Sequence, residues 1–251
     1  MKRLLISLPS LIVILAGIIL LAHGPILQFA HYHDFADHSV FLGVPHAADV
    51  FSNIGFFIVA IWGMWKLRPL RSHSALIAGW PGYRLFLIGL LCTAIGSGFY
   101  HLAPDNARLL WDRLPIAIAC AGLLAGVRSE TLPNVNGPLN AALLGAFAVF
   151  SVAWWFITEQ YGAGDLRPYL FLQGLPLILI PLWQTIYRAP RADRLAFVTA
   201  LLLYIAAKIC ELNDYQILSV TTVISGHTLK HLLATAAAAV LVSRLIARVR
   251  T

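Results

Sequence analysis

Long apolar runs separated by short polar stretches dominate the pattern along the chain. Eight of these runs approach the length of about 20 residues that a helix needs to cross about 30 Å of hydrocarbon. Their approximate spans are residues 4–22, 49–67, 85–102, 109–127, 139–157, 169–187, 195–212 and 226–246. Turn formers and charges such as Arg68-Pro69 and Gly162-Ala163-Gly164 lie between them, where the chain reverses easily. The pattern predicts an all-α integral membrane protein.

The overall composition agrees with this prediction. Of 251 residues, 59% are hydrophobic and only 12% are charged, whereas soluble globular proteins carry about 25% charged residues. Neither a flexible linker nor a low-complexity tract divides the chain, so we expect one membrane domain.

The basic residues concentrate in alternate loops and at the chain ends, as the positive-inside rule requires. These residues are Lys2, Arg3, Lys66, Arg68, Arg71, Arg84, Arg128, Arg188, Arg191, Arg194, Arg244, Arg248 and Arg250. Both termini are therefore predicted to be cytoplasmic. The net charge of +7 reflects this topology and contact with anionic membrane lipids. Nucleic acid is excluded as a partner because there is no compact basic face, and no obligate protein partner is evident.

The first apolar run resembles a signal peptide in its basic start. Leu20-Leu21-Ala22-His23 is a poor cleavage site, however, and the run is long, so we expect residues 1–22 to remain as an uncleaved transmembrane anchor. Cys92, Cys120 and Cys210 lie within apolar runs without CxxC spacing and are interpreted as packing residues.

Five polar or ionisable residues stand out because they lie inside or at the start of the apolar runs: Ser97, His101, Asp112, His227 and His231. A charged side chain at the bilayer centre costs about 2.5 kcal/mol or more, so such residues are expected to have partners or a function. The third run points outward, and the fourth and eighth point inward. This topology predicts that all five residues lie in one layer near the non-cytoplasmic side.

Their spacing predicts a metal site. His227 and His231 are four residues apart, as are Ser97 and His101, so each pair shares one helix face with an axial offset of about 6 Å. Three imidazoles can hold Zn²⁺ while leaving a fourth position for water. Zinc makes water more acidic and polarises a carbonyl. Asp112 could orient that water and accept its proton, and Ser97 could donate a hydrogen bond to the developing oxyanion.

Each of these residues also has a plainer interpretation. The HxxxH pair arises often by chance, and His101 alone could be an interhelical contact. Gly96-Ser97-Gly98 could serve only helix packing, and Asp112 could form an interfacial ion pair with Arg113. Axial binding of a b-type haem is excluded for the HxxxH pair, because its two imidazoles share one face. Imidazole ligands also suit transition metals other than zinc.

Three stretches carry a resemblance to a known family: Gly96-Ser97-Gly98-Phe99-Tyr100-His101, Trp111-Asp112-Arg113-Leu114-Pro115 and Ser225-Gly226-His227-Thr228-Leu229-Lys230-His231. They resemble the alkaline ceramidases and, more broadly, the intramembrane hydrolases that include the adiponectin-receptor-like proteins. The resemblance extends from about His33 to Arg244. It implies a seven-helix core within residues 23–251, to which the first helix is an addition.

The resemblance also implies an activity. Zinc would be bound by His101, His227 and His231, with a water activated near Asp112 and with Ser97 assisting at the carbonyl. The reaction would cleave the amide of ceramide, or of a similar long-chain lipid amide, to a sphingoid base or other amine and a fatty acid. The lipid would arrive laterally from the bilayer. The alternatives are hydrolysis of another lipid amide or ester, and a non-enzymatic metal-stabilised receptor or transporter.

A calcium site is a further implication of the resemblance. His33-Asp34-Phe35-Ala36-Asp37-His38-Ser39 resembles the acidic stretch that supplies part of that site, and oxygen ligands suit Ca²⁺. The remaining ligand falls on Asp49 or on His46, depending on a small alignment gap, and a histidine would be a poor calcium ligand. The expected set is Asp34, Phe35, Asp37, Ser39 and either Asp49 or His46. The alternative is a solvated acidic loop.

Two further pairs have ordinary structural explanations. Lys208 and Glu211 are three residues apart and are predicted to form an ion pair on a helix. Trp154 and Trp155 are predicted to belong to an interfacial aromatic belt.

Overall fold

The computed structural model describes residues 2–250 of the chain, and their side chains from residue 5 onward. The description does not include Met1, Thr251 or the side chains of Lys2 and Arg3. Lys2 and Arg3 are two of the basic residues from which the orientation in the membrane is predicted. The described part is mostly helical. Its helices are α1 (Lys2–His23), α2 (Ala47–Ser52), α3 (Ile54–Leu67), α4 (Trp80–Leu102), α5 (Asn106–Thr131), α6 (Gly137–Gln160), α7 (Arg167–Ile186), α8 (Arg191–Leu212), α9 (Asp214–Thr221) and α10 (Gly226–Arg248).

Eight helical segments within the described residues are long and apolar enough to cross a membrane. They overlap the eight predicted runs, which confirms the mostly helical structure and the eight membrane-length segments. Seven are the single helices α1, α4, α5, α6, α7, α8 and α10, and the eighth combines α2 and α3 with the short 3-10 turn Arg68–Leu70.

The second predicted segment is divided at Asn53 rather than being one helix. The hydroxyl of Ser52 and the side-chain amide of Asn53 both donate to the carbonyl of Asp49, each at 2.8 Å. The backbone N–H of Asn53 bonds instead to the carbonyl of Val50, at 3.3 Å. Short polar side chains that bond to the backbone in this way compete with the regular helix ladder.

A small hairpin departs from the all-α prediction. Strands β1 (Val40–Phe41) and β2 (Val44–Pro45) pair antiparallel before α2. Leu42 and Gly43, which join them, both have positive φ, at 51° and 79°. This is the backbone that a two-residue hairpin turn requires. Strands of two residues are too short to show an alternating pattern in a sequence.

Close approach between α4 and α5 positions the polar residues of the predicted site. A Cβ added at Gly96 would lie 1.9 Å from the backbone oxygen of Trp111, and one added at Gly82 would lie 2.1 Å from the backbone nitrogen of Gly126. Only glycine permits such contact between the two backbones. The contact at Gly96 brings the helix surface that carries Ser97 against the part of α5 that carries Asp112.

Helix α1 lies at the periphery, where it packs mainly against α7. The guanidinium of Arg167, at the start of α7, donates to the carbonyls of Leu20 and Leu21 at 3.3 and 3.4 Å. These carbonyls belong to the last turn of α1, where a cation is favourable. The division into a seven-helix core and an added first helix stays a prediction.

Candidate metal centre

His101, His227 and His231 form a buried cluster whose candidate ligand atoms all lie within 4.8 Å of one another. His101 is in the last turn of α4, and the other two occupy the first turns of α10. The cluster could hold a metal ion. The sequence prediction that these three residues, separated by up to 130 positions, come together is confirmed.

Two polar residues fix the start of α10 and thereby the two histidines that it carries. Ser225 is the N-cap, and its hydroxyl accepts a hydrogen bond from the backbone N–H of Thr228 at 2.9 Å. The carboxylate of Asp214 accepts from the backbone N–H of His227 at 2.7 Å and, through its other oxygen, from that of Ala36 at 2.9 Å. Asp214 thus ties the chain before α2 to the helix that supplies two of the imidazoles.

One pair of ring nitrogens has the spacing found in a tetrahedral metal site. Nε2 of His101 lies 3.2 Å from Nε2 of His227. Metal–nitrogen bonds of about 2.0–2.1 Å at tetrahedral angles place two ligand nitrogens about 3.3 Å apart. Two imidazole lone pairs at this separation repel each other unless a proton or a cation lies between them. The donor set therefore fits a zinc ion, although imidazole also serves other transition metals.

The hydrogen bonds of Ser52 determine which nitrogen of His231 is free. The Ser52 hydroxyl donates its single proton to the carbonyl of Asp49, at 2.8 Å, and lies 2.7 Å from Nδ1 of His231. Nδ1 must therefore carry the proton and donate to Ser52. This tautomer leaves Nε2 of His231 with a free lone pair for a metal. Such outer-shell bonds commonly orient metal-binding histidines.

Asp49 lies behind the cluster and is fully buried. Its Oδ1 accepts hydrogen bonds from the hydroxyls of Thr228, at 2.5 Å, and Ser225, at 3.3 Å. Its Oδ2 lies 4.0 Å from Nδ1 of His101. Asp49 is thus aimed at the one histidine of the cluster that comes from α4.

Lys230 is a close neighbour of the cluster that the sequence argument did not single out. Its ammonium lies 2.7 Å from Nε2 of His227 and 3.2 Å from Glu211. Glu211 also pairs with Lys208, so the predicted ion pair between these two residues is confirmed. An ammonium group can only donate, so Nε2 of His227 accepts and carries a lone pair. A cation bound at Nε2 of His227 would displace the Lys230 ammonium from this nitrogen. The ammonium would then remain paired with Glu211.

Ser97 and Asp112 are both buried and lie on the wall of a cavity that His231 also lines. The hydroxyl of Ser97 lies beside the Asp112 carboxylate. Within the described part of the chain, Oδ1 of Asp112 has no hydrogen-bond partner. The structure therefore brings all five predicted residues to one region. One oxygen of Asp112, Oδ1, remains without a hydrogen-bond partner among the described residues.

The cavity has a volume of about 520 Å³ and changes character along its length. One end of the cavity carries polar side chains, including Ser97, Asp112 and Lys230, whereas the remainder is lined by residues such as Phe86 and Leu123. Asp112 and Leu123 are 11 positions apart on α5, which corresponds to about 16 Å along the helix. The cavity is therefore a long apolar space with a polar end at the metal centre.

The residues of the expected calcium set bond mainly to other parts of the protein. The hydroxyl of Tyr215 donates to Asp34 at 2.6 Å, and this bond raises the pKa of the Tyr215 hydroxyl to about 12. The two oxygens of Asp37 accept from the backbone N–H groups of Ser39, at 2.9 Å, and Asp49, at 3.0 Å. Nδ1 of His46 contacts the carbonyl of Asp37. Calcium binding by these residues stays a prediction.

Phe35 connects this segment to the histidines. The ring of Phe35 packs edge-on against His227 and His101, with centroids 4.4 and 4.8 Å apart, and so covers one side of the cluster. Burial would raise the pKa of the Asp37 carboxyl, but hydrogen bonds from Ser39 and from the backbone of Asp49 outweigh it and lower that pKa. The segment before α2 thus also covers part of the histidine cluster.

The aromatic-belt prediction is wrong for Trp155 and is compatible with the position of Trp154. Trp155 is fully buried and its ring lies 4.1 Å from the guanidinium carbon of Arg113. Trp154 is partly exposed, and its indole N–H donates to Asp165 at 2.9 Å. The two residues are adjacent on α6 and therefore face different directions, which composition alone does not reveal.

Comparison of the chain with protein-family models, curated proteins and solved structures gives no match.

Proposed function

We propose that the protein is a membrane-embedded, zinc-dependent amidohydrolase that cleaves the amide of ceramide, or of a similar long-chain lipid amide, to an amine and a fatty acid. The observation that carries the proposal is the position of the metal centre at the polar end of a long apolar cavity. Three buried imidazoles meet there beside Ser97 and the uncommitted oxygen of Asp112. Catalysis needs that carboxylate, whereas a purely structural metal does not.

The proposed chemistry assigns a role to each side chain. Zinc held by the three histidines would supply a Lewis acid that polarises a carbonyl and makes water more acidic. Asp112 accepts a proton from the attacking water at Oδ1. The Ser97 hydroxyl donates to the amide oxygen as negative charge develops on it. Asp112 then returns the proton to the amide nitrogen as the C–N bond breaks, which gives a free amine and a fatty acid.

The shape of the cavity supports a lipid substrate. The apolar part of the cavity can accept an acyl chain while the amide lies beside Ser97 and Asp112. Helices α7 and α8 both line the cavity, yet they share little contact, because α8 packs mainly on α10. A gap between α7 and α8 is the proposed route by which lipid arrives laterally. The metal centre is proposed to lie near the non-cytoplasmic side, with both termini in the cytoplasm.

The decisive experiment combines metal analysis of purified protein with measurement of fatty-acid release from ceramides and other lipid amides. We expect about one zinc per chain and release from at least one amide. Asp112→Asn should retain the metal but lower the rate by about 10²–10⁴-fold, the usual contribution of a general base. His227→Ala should lose both metal and activity.

Asp105→Asn is the matched control, because Asp105 is an exposed carboxylate seven residues before Asp112 that pairs with Arg108. It should keep both metal and activity. Retained turnover in Asp112→Asn would disprove the assigned base. Bound metal without release from any amide or ester would favour the receptor or transporter alternative.

A further inference from the structure

Arg113 is a buried cation, and most of its N–H donors have no hydrogen-bond partner among the described residues. The residue is 2% exposed and lines the same cavity as Asp112 and Ser97. Its Nε and Nη1 atoms have no hydrogen-bond partner among the described residues. A buried charge is strongly unfavourable unless it is paired and hydrogen-bonded. Two unpaired guanidinium nitrogens in a residue that lines a cavity therefore indicate a ligand group that accepts hydrogen bonds.

Aromatic rings surround Arg113. Its guanidinium carbon lies 4.1 Å from the ring centroid of Trp155, 4.8 Å from that of Tyr32 and 5.6 Å from that of Tyr169. Aromatic rings commonly contact the face of a guanidinium, whose N–H donors lie in its plane. The cage thus holds the group in place beside the cavity that Arg113 lines.

The charges on the cavity wall favour an anion. The wall carries the acidic residues Asp112 and Glu211 and the basic residues Arg113, Lys208 and Lys230. Glu211 is shared by the two lysines. Asp112 is the proposed general base, so no other carboxylate on the wall is left for Arg113. A metal ion at the histidines would add further positive charge.

The position of Arg113 indicates which part of the lipid it meets. Asp112 and Arg113 are neighbours at the polar end of α5, whereas Ile116, Ala119 and Leu123 follow on the apolar wall. When the acyl chain fills the apolar part and the amide lies at Asp112, the group next to Arg113 belongs to the amine half of the substrate. That group is within a few bonds of the amide nitrogen.

We propose that Arg113 binds an anionic group on the amine half of the lipid amide, so that the substrate is an N-acylated amine carrying a carboxylate or a phosphate. The planar fork of a guanidinium matches both anions. The inference rests on the proposed function and narrows its substrate class from neutral ceramide-like lipids to anionic ones.

The test compares amides that differ only in this group. N-dodecanoylglycine and the phosphate ester of N-dodecanoylethanolamine carry the anion, and N-dodecanoylglycinamide and N-dodecanoylethanolamine are their neutral counterparts. Wild-type zinc-loaded protein should hydrolyse at least one anionic amide with kcat/KM about tenfold or more above its neutral counterpart, as expected for a charge-assisted hydrogen bond. The better of the two anions identifies carboxylate or phosphate as the source.

Variants assign the preference to Arg113. Arg113→Gln should reduce the anionic-to-neutral ratio of kcat/KM to near one, and Arg113→Lys should keep part of it. Arg108→Gln is the matched control, since Arg108 lies on the same helix but is more exposed and pairs with Asp105. It should leave the ratio unchanged. Equal rates for anionic and neutral amides in the wild type would overturn the inference even if no Arg113 variant folds.

A binding measurement separates this inference from the proposed function. The ketone isosteres of N-dodecanoylglycine and its carboxamide, in which CH₂ replaces the amide N–H, cannot be cleaved at that position. Tighter binding of the anionic ketone, lost in Arg113→Gln, would support the anion site even if no amide were hydrolysed. Hydrolysis without any anionic preference in rate or binding would retain the amidohydrolase and reject the role of Arg113.

Discussion

Oδ2 of Asp49 lies 4.0 Å from Nδ1 of His101, and neither atom has a hydrogen-bond partner among the described residues. Both atoms are buried, so each would ordinarily be expected to be paired. The separation is about 1 Å longer than a hydrogen bond. A small rotation of the His101 ring toward a metal on its Nε2 side would allow the two atoms to meet. Carboxylates of this kind orient metal-binding histidines and raise their basicity.

Asp49→Asn should therefore weaken zinc binding by about 10–100-fold, the usual effect of losing an outer-shell partner. The amide oxygen can still accept from Thr228 and Ser225, so the fold should persist. The measurement is zinc affinity by competition with a chelator. Asp105→Asn, which changes an exposed carboxylate, should leave the affinity unchanged. Equal affinities for Asp49→Asn and wild type would remove Asp49 from the metal centre.

Ser52→Ala tests the assigned tautomer of His231. The substitution removes the acceptor for the Nδ1–H of His231 and leaves a buried donor unpaired, which costs about 1–3 kcal/mol. We expect lower zinc affinity and a lower Tm than in the wild type. Ser243→Ala removes an exposed hydroxyl that bonds only to the backbone of its own helix, and should change neither quantity. If Ser52→Ala bound zinc as tightly as Ser243→Ala does, the tautomer would not depend on Ser52.

The sequence predicts the ligands of this centre better than their supporting residues. His101, His227 and His231 are conspicuous because ionisable groups inside apolar runs are costly, and helix periodicity places them on defined faces. Ser52 and Asn53 give a weaker signal, since small polar residues are common in transmembrane helices. Their role depends on a break in the helix, where both side chains bond to the Asp49 carbonyl.

Arg113 shows a second limit of prediction from sequence. Its neighbour Asp112 suggested a simple ion pair, and Trp155 suggested a belt at the membrane surface. The structure instead places Trp155 against Arg113 in the interior, because α6 packs on α5 with this face of Trp155 turned inward. Helix rotation about its own axis is set by tertiary packing, and a nearly uniform apolar sequence specifies it poorly.

Gly96→Ala tests the close approach of α4 and α5. An added Cβ would lie 1.9 Å from the backbone oxygen of Trp111, so the helices must separate. Overpacking of this kind costs about 1–3 kcal/mol and should also displace Ser97 from Asp112. We expect a lower Tm and lower activity. Gly98→Ala is the matched control on the same turn, because no atom lies within 4 Å of its added Cβ. Similar losses in both variants would contradict the packing argument.

Asp165 should make the stability of the folded protein depend on pH in the acidic range. Burial alone would raise its pKa, but hydrogen bonds from Arg167, Trp154 and the backbone lower it from 3.8 to about 2. A carboxyl whose pKa is lower in the folded state stabilises that state above its unfolded pKa. This contribution is lost as the pH falls from about 4 through about 2.

Asp165→Asn should therefore lower Tm most above about pH 4, and the difference from wild type should narrow toward about pH 2. Arg167→Gln should produce much the same loss, and the double variant should lose less than the sum, because both changes remove one interaction. The measurement is Tm in detergent across this pH range for all four proteins, and a difference that does not vary with pH would refute the role of the Asp165 charge.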